Sequence, residues 1–398
     1  MARPNRAGHH PMSDRPSVPG FAGLIMAAAA AMLLPSARTR AEDRVTIRGA
    51  YFREPSTRVI QPMVEITKDL PNGFDLDAHY LVDTITSASA AAGTSVDSIF
   101  TEVRNEVGLG VGKNWDRTRV SLSYKYSAES DYWSHALWAS LARRFWGDTA
   151  TVGAFGGFSL DSVGFRGRTP ACLAVDGFSC PLDSVFAGVA YTQILSPVAI
   201  AQVDLDSATL WGFLANPYRQ VAMVGYEVLP ERRLRTALSA RVAYYFPEAS
   251  TGLQLQFRYY RDFYPGSLGG APDPWDLSAS TIEARIYHRL RRDLEVRLLY
   301  RQYFQQPPAF WCDVASNPGC SPAQSAAPWN YASADPALGP VRTEYPEIKL
   351  IWDADALREV PFFRWFAAGT FEISYGRYIQ NDAFGSAHVL QTSYSMPY

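Results

Sequence analysis

From residue 44 onward, apolar and polar side chains alternate in runs of about ten residues, each closed by turn-forming residues, and no helical period is sustained. Between Ile99 and Val111, the residues Ile99, Val103, Val107, Leu109 and Val111 share one face, and Glu102, Arg104 and Glu106 take the other. Val120, Leu122, Tyr124 and Tyr126 then alternate with Arg119, Ser121, Ser123 and Lys125. The pattern returns in Leu253, Leu255, Phe257 and Tyr259 against Gln254, Gln256, Arg258 and Tyr260, and again in Leu294, Val296, Leu298 and Tyr300 against Glu295, Arg297 and Arg301. It predicts strands at Val45–Phe52, Val59–Lys68, Phe74–Ser87, Ile99–Val111, Thr118–Tyr126, Ala136–Phe145, Thr149–Leu160, Ser184–Ile194, Val198–Leu210, Leu234–Phe246, Leu253–Phe263, Ser280–Arg289, Leu294–Phe304, Thr343–Asp353, Trp365–Ile379 and Ala387–Tyr398.

Strand length separates a membrane barrel from a soluble sandwich. Sandwich strands average about five or six residues, whereas a tilted strand needs about nine to eleven to cross the hydrocarbon, and many of these runs are that long. The predicted fold is therefore all-β, an antiparallel up-and-down transmembrane barrel of about sixteen strands, with the apolar face toward lipid and the charged face toward the interior. A Lys or Arg facing lipid at mid-membrane costs about 2–4 kcal/mol, and most strands carry a charge on the polar face, so the reverse orientation is untenable.

The connections support the same reading. Leu70–Gly73, Gly112–Asp116, Trp146–Asp148, Leu195–Pro197, Pro247–Gly252 and Leu290–Asp293 are short, and the Cys172 loop, Trp211–Arg233, Tyr264–Ala279 and Gln305–Arg342 are long. Short periplasmic turns and long outer loops put both ends of the barrel in the periplasm. The connection Ala354–Arg364 is longer than its class. At the end of the chain Leu390, Thr392, Tyr394, Met396 and Tyr398 alternate with Gln391, Ser393, Ser395 and Pro397, which resembles the signature read by the barrel assembly machinery.

An apolar segment of about 14 residues, Phe21 to Leu34, is too short to span a bilayer and fits a signal-peptide core. Arg3, Arg6 and Arg15 precede it, and cleavage after Ala41 or Ala37 would leave residues 42–398 as one outer-membrane domain. The four cysteines form two local pairs, Cys172 with Cys180 and Cys312 with Cys320, whose spacing fits disulfides better than zinc or C-x-x-C chemistry. Aromatic residues make up 13% of the chain, which suits rings at membrane interfaces, and a net charge of -2 gives no basic field for nucleic acid.

Tyr51-Phe52-Arg53-Glu54, Arg58, Pro62 and Asp83-Thr84-Ile85-Thr86-Ser87-Ala88-Ser89 resemble a proteobacterial outer-membrane barrel family, domain of unknown function 3570. The resemblance implies a secreted barrel without established activity and a setting among periplasmic redox proteins of thioredoxin-like and flavin-transferring kinds. It carries over no catalytic residue.

Candidate chemistry is sparse. Gly108-Leu109-Gly110-Val111-Gly112-Lys113 lacks phosphate-loop spacing and ends a strand, so it reads as small residues in a barrel wall. Ser134-His135 and Ser386 with His388 are isolated hydrolase fragments, and no metal or cofactor motif is present. The candidate site is the inward face: Glu102, Arg104, Glu106, Lys125, Arg235, Arg241, Arg258, Glu283, Arg285, Glu295, Arg297, Arg301, Glu347, Lys349 and Glu372. These charges either set up a field in an aqueous channel or neutralise one another across strands, with Arg285 opposite Glu295 and Glu283 opposite Arg297. A porin-like channel for small polar solutes is the leading expectation, ahead of a non-conducting structural or envelope-complex barrel and an outer-membrane enzyme. The long Gln305–Arg342 loop, with Trp311, Trp329 and Tyr331 available to pack against a wall, is expected to fold over or into the mouth. Deleting Cys312–Trp329 should then raise single-channel conductance; an unchanged conductance rejects that role for the loop.

Overall fold

Each of the sixteen alternating runs forms a strand, and together they close into one antiparallel barrel. The computed structural model describes residues 43–87, 100–164, 178–216, 220–221, 225–266, 273–311, 331–381 and 385–398; the signal-peptide region lies outside them. The first nine strands are β1 (Arg44–Arg53), β2 (Thr57–Leu70), β3 (Phe74–Ser87), β4 (Phe100–Trp115), β5 (Thr118–Ala128), β6 (Tyr132–Phe145), β7 (Ala150–Gly164), β8 (Phe178–Ser196) and β9 (Ala199–Gly212). A two-stranded ribbon, β10 (Gln220–Val221) and β11 (Gly225–Tyr226), sits in the following loop. The barrel resumes with β12 (Arg232–Phe246), β13 (Thr251–Phe263), β14 (Ser278–Arg291), β15 (Leu294–Gln306), β16 (Arg342–Asp353), β17 (Thr370–Gln380) and β18 (Ala387–Pro397). Among the described residues no helix is long and apolar enough to cross a membrane.

Closure joins the first strand to the last. β1 pairs with β18 from Arg44 opposite Pro397 to Arg53 opposite His388. The Tyr398 amide continues that ladder by donating to the Asp43 carbonyl at 3.0 Å. Beside this seam, Val45 and Val64 are buried with Ile66 and Tyr398 packed over them. Burial opposes ionisation of the Asp43 carboxyl, but hydrogen bonds from Lys68 Nζ at 2.8 Å and the Asp69 amide at 2.9 Å prevail and hold it below the usual range.

The two faces of the wall differ as the alternation requires. Leu109 is 54% exposed, and Val103, Val107 and Val111 beside it on β4 point the same way, while Glu102 and Glu106 are buried. On β13, Leu255 is 52% exposed and Phe257 and Tyr259 share its face. Apolar side chains exposed around the whole outer surface belong against hydrocarbon, not water. Exposed aromatics mark both rims: Phe74, Trp115 and Trp146 at the end holding the termini, and Trp133, Trp211 and Phe304 at the other.

At the terminus end the turns are tight, and left-handed backbone supplies several of them, as at Asn72 (φ 63°) and Gly73 (φ 77°). The other end carries the long loops, with short exceptions at Glu54–Ser56 and Glu129–Asp131. One predicted strand start is corrected. Trp365 to Gly369 do not belong to β17, because Arg364–Phe366 form a 3-10 turn and the strand begins at Thr370. The pattern there was misleading because Phe362 and Trp365, 80% and 74% exposed, are apolar without being part of a ladder. The connection between β16 and β17 thus runs over residues 354–369.

Replacing Leu255 by Arg on the outer face should cost about 2–4 kcal/mol, while the neighbouring Gln256→Arg on the inner face should cost far less. Urea-unfolding curves in lipid vesicles measure both, and equal losses would contradict this orientation.

Candidate functional site: the charged lumen wall

The interior face is built by the residues lying between the lipid-facing ones on every strand. Glu102, Arg104 and Glu106 on β4, Lys125 on β5, Arg235 and Arg241 on β12, and Arg258 on β13 all lie on it, as do Glu283, Arg285, Glu295, Arg297, Arg301, Glu347, Lys349 and Glu372 on β14 to β17. Water-accessible cavities open along it among the described residues. One of about 620 Å³ touches Arg44, Arg48, Glu65, Lys349 and Glu372, one of about 630 Å³ spans β4 to β8, and one of about 320 Å³ touches Arg258, Arg301, Tyr345 and Tyr378.

Most charges are paired along the wall. Arg104 meets Asp83, which also accepts from Gln61 Nε2 at 2.5 Å. Glu106 lies between His79 Nε2 at 3.3 Å and Lys125 at 3.5 Å. Arg258 grips Asp206 with both terminal nitrogens at 3.0 Å, and Lys349 reaches Glu372 at 2.6 Å. Glu283 takes Arg285 at 2.6 Å and Arg301 at 2.7 Å, and Glu347 takes Arg297 at 2.5 Å and the Tyr345 hydroxyl at 2.9 Å.

The expected cross-strand pairing is corrected here. Glu283 stands opposite Arg301 rather than Arg297, and Arg285 stands opposite Leu299 rather than Glu295, which itself faces Arg289. The cause is the tight Arg292–Asp293 turn with a register shift between Arg289 and Arg291, which moves the pairing four residues along β15. Several interior acids were not singled out from the sequence: Asp75, Asp77 and Asp83 on β3, Asp161 on β7, and Asp204 and Asp206 on β9. Their signal was legible, since Asp204 and Asp206 alternate with the exposed Val203 and Leu205.

With those acids included, the two walls differ in sign. Acids outnumber bases on the arc from β3 to β9, and bases outnumber acids from β12 to β16. In the sixteen-strand ring β3 and β4 stand eight strands from β13 and β14, so the excesses face each other across the lumen. No carboxylate lies within ion-pair distance of Arg235 or Arg241 among the described residues, and the Nε of each is buried without a partner.

Over the loop end, side chains from three connections form a small core. Trp275, Leu277 and Phe310 are fully buried with Leu338, and Trp311, Tyr264, Tyr331 and the β13 residue Tyr260 pack against them. Arg233 lies 4.3 Å over the Trp275 ring and forms an ion pair with Asp262, whose carboxylate is wholly buried and also accepts from Tyr260. Trp311 and Tyr331, expected against a bare wall, instead join this core; Trp329 lies outside the described residues.

The catalytic fragments do not assemble. Ser134 is on the interior face, whereas His135 lies on the outer face, where its Nδ1 meets the Tyr124 hydroxyl at 2.8 Å. His388 likewise faces outward, with its Nδ1 2.7 Å from the Tyr375 hydroxyl. The glycines of β4 leave room for partners across the strand: a Cβ on Gly108 or Gly110 would fall about 2 Å from His79 or Asp77. Glu102, Glu129 and Asp131 bring carboxylate oxygens within 4.8 Å of one another, and the amide and hydroxyl of Ser130 both donate to Glu102. Burial holds the Glu129 carboxyl above its usual range, against the pull of Arg104. Of the four cysteines, Cys180 alone falls among the described residues, and it is buried and not a free thiol.

A family model described as protein of unknown function (DUF3570) matches residues 183–353. The match runs from β8 to the end of β16 and bears out the family resemblance over that stretch, although the residues that first suggested it, Tyr51 to Ser89, lie outside it. No curated protein matches the chain. Among solved structures, CdiB from Acinetobacter baumannii is 10% identical with a TM-score of 0.52, covering 91% of this chain; the chain spans 61% of that one. A bacterial polysaccharide outer membrane secretin is 8% identical with a TM-score of 0.49, covering 91% of this chain and 100% of that one. OccD3 (OpdP) of Pseudomonas aeruginosa is 9% identical with a TM-score of 0.44, covering 90% and 91%. At these identities the likeness concerns the barrel fold alone.

Removing one member of a buried ion pair leaves the other uncompensated, so Asp262→Ala should destabilise the loop core by about 3–5 kcal/mol without opening the barrel. Limited proteolysis should cut the loops faster while the heat-shifted gel mobility of the barrel persists. Unchanged cleavage would mean that the pair does not hold the core.

Proposed function

We propose that the chain is a porin-like channel of the bacterial outer membrane, passing small polar solutes by diffusion, with weak selectivity, through a hydrated and charge-lined lumen. The observation that carries this reading is the opposition of the acidic β3–β9 arc to the basic β12–β16 arc. Most pairs run along one arc, Arg258–Asp206 bridges the two where β12 joins β9 to β13, and no pair among the described residues crosses the lumen, so a transverse field survives.

Outer-membrane residence is supported by the apolar outer face and aromatic rims, and periplasmic termini by the tight turns at their end. The connection over residues 354–369 fits that setting. Trp352, Phe371 and Tyr394 form a continuous row on the outer face, Phe366 extends it 5.6 Å from Tyr394, and Phe362 and Trp365 project beyond. With Arg358 and Arg364 interleaved, it is a foot for the headgroup region of the inner leaflet.

In this reading residues 1–41 are a signal peptide, Leu390, Thr392, Tyr394, Met396 and Tyr398 are read by the barrel assembly machinery, and Cys172–Cys180 and Cys312–Cys320 are disulfides formed after export. Periplasmic redox proteins are neighbours on the family resemblance. No catalytic step or cofactor is assigned. The loop core around Trp275 favours a second reading, a capped barrel that does not conduct and presents its loops.

Purified protein in planar bilayers distinguishes the two. The channel reading expects a steady ohmic current and a shift toward cations in Arg235→Glu with Arg241→Glu, measured as reversal potential in a salt gradient. Folded protein that carries no current overturns it in favour of the capped barrel.

A further inference from the structure

The cavity of about 630 Å³ between β4 and β8 contains something a charge-lined wall does not need. Phe155 lies on the interior face yet is 40% exposed, and Trp138 and Phe186 line the same cavity on the neighbouring strands. The register sets Phe155 opposite Gly188 and Phe186 opposite Gly157. A Cβ on Gly188 would fall 2.4 Å from the Phe155 ring, and one on Gly157 would fall 2.8 Å from the Phe186 ring. Each ring therefore occupies the space over the glycine opposite. Three aromatic side chains on β6, β7 and β8 thus form a shelf that leaves apolar surface toward water inside the barrel, an arrangement whose cost a ligand with an apolar face would relieve.

The polar surroundings narrow the ligand. Both cations lining this cavity are already paired, Arg104 with Asp83 and Lys125 with Glu106, and Asp161 accepts from the hydroxyls of Tyr132 at 2.5 Å and Ser159. An anionic solute would find no unpaired cation there. Hydroxyls are abundant, with Ser127, Ser134, Ser140 and Ser159 around the shelf. A solute that offers a flat C–H face to the rings and a rim of hydroxyls to the serines and ion pairs matches both features, and that is the chemistry of a pyranose.

We propose that the Trp138–Phe155–Phe186 shelf is a binding subsite for neutral sugars. This deepens the channel reading, since the subsite opens on the same lumen. The test is a tryptophan-fluorescence titration of the folded protein in detergent with maltotriose, mannitol and benzoate as probes. Because it needs no current, its outcome is separate from that of the bilayer experiment. Maltotriose should give a saturable change that Trp138→Phe removes, while mannitol, with no ring face, and benzoate, with a charge and no hydroxyls, should give none. Phe155→Ala with Phe186→Ala should raise the apparent Kd at least about tenfold, and Phe155→Leu, which retains bulk without a ring, should weaken binding with gel mobility unchanged. No response to maltotriose, a stronger response to benzoate, or an unchanged Kd in the shelf variants would overturn the proposal.

Discussion

A strand in hydrocarbon has no water to satisfy its backbone, and each unpaired N–H or C=O there costs several kilocalories per mole. This chain meets that constraint by closure, with β1 and β18 paired over ten residues each so that neither has a bare edge. The packing around the seam follows. Tyr398 covers Val45 and Val64, Lys68 lies 5.2 Å over the Tyr398 ring, and the same lysine holds Asp43, so the first and last strands are fastened by one cluster. Once the ring is closed, the two-residue period leaves each side chain only lipid or lumen to face. The charge on nearly every strand then decides which.

Inside, charges meet a different problem. An exposed ion pair such as Arg258 with Asp206 contributes about 0–1 kcal/mol and stabilises the barrel little. Pairing also has a geometric effect. Glu283 between Arg285 and Arg301, or Arg258 gripping Asp206, holds long side chains flat against the wall and keeps them out of the lumen. Because partners are taken from the same or adjacent strands in most cases, pairing leaves the difference between the arcs in place. The field and ladder readings are thus compatible, one describing the sum of the charges and the other where each is held.

The sixteen strands were legible because alternation records the one choice available to each residue, and the strongest patterns, such as Leu253 to Tyr260, lie where the wall has lipid on one side and polar lumen on the other. Legibility fell where that contrast fades. Phe362 and Trp365 are apolar and exposed without belonging to a strand, so the apolar pattern extends ahead of the true start of β17 at Thr370. Trp138, Phe155 and Phe186 point inward, against the polar rule for that face, and were passed over as candidates. Register was beyond reach for another reason. Alternation fixes parity alone, and a slip of two or four residues preserves it, so Glu283 was matched to Arg297 although the Arg292–Asp293 turn sets it against Arg301. The acids on β3 and β9 carried a readable pattern, and without them the walls looked mixed instead of opposed.

At the loop end, one pair of wall charges serves the mouth instead of the lumen. Arg233 and Asp262 continue the inward row of β12 and β13, but there the pair is dry, sealed by Trp275 above and Tyr260 beside it. A dry pair is costly to break, so it can anchor the loops packed on it. Gln305 on β15 extends the attachment by donating to the carbonyls of Ala337 and Gly339 at 2.9 and 2.8 Å. The core is therefore fastened to side chains whose spacing the strand register sets. A slip of two residues between β12 and β13 would preserve every inward and outward assignment yet part Arg233 from Asp262. That makes the fit of the loop core, rather than the lipid-facing pattern, the feature able to select one register over its neighbours.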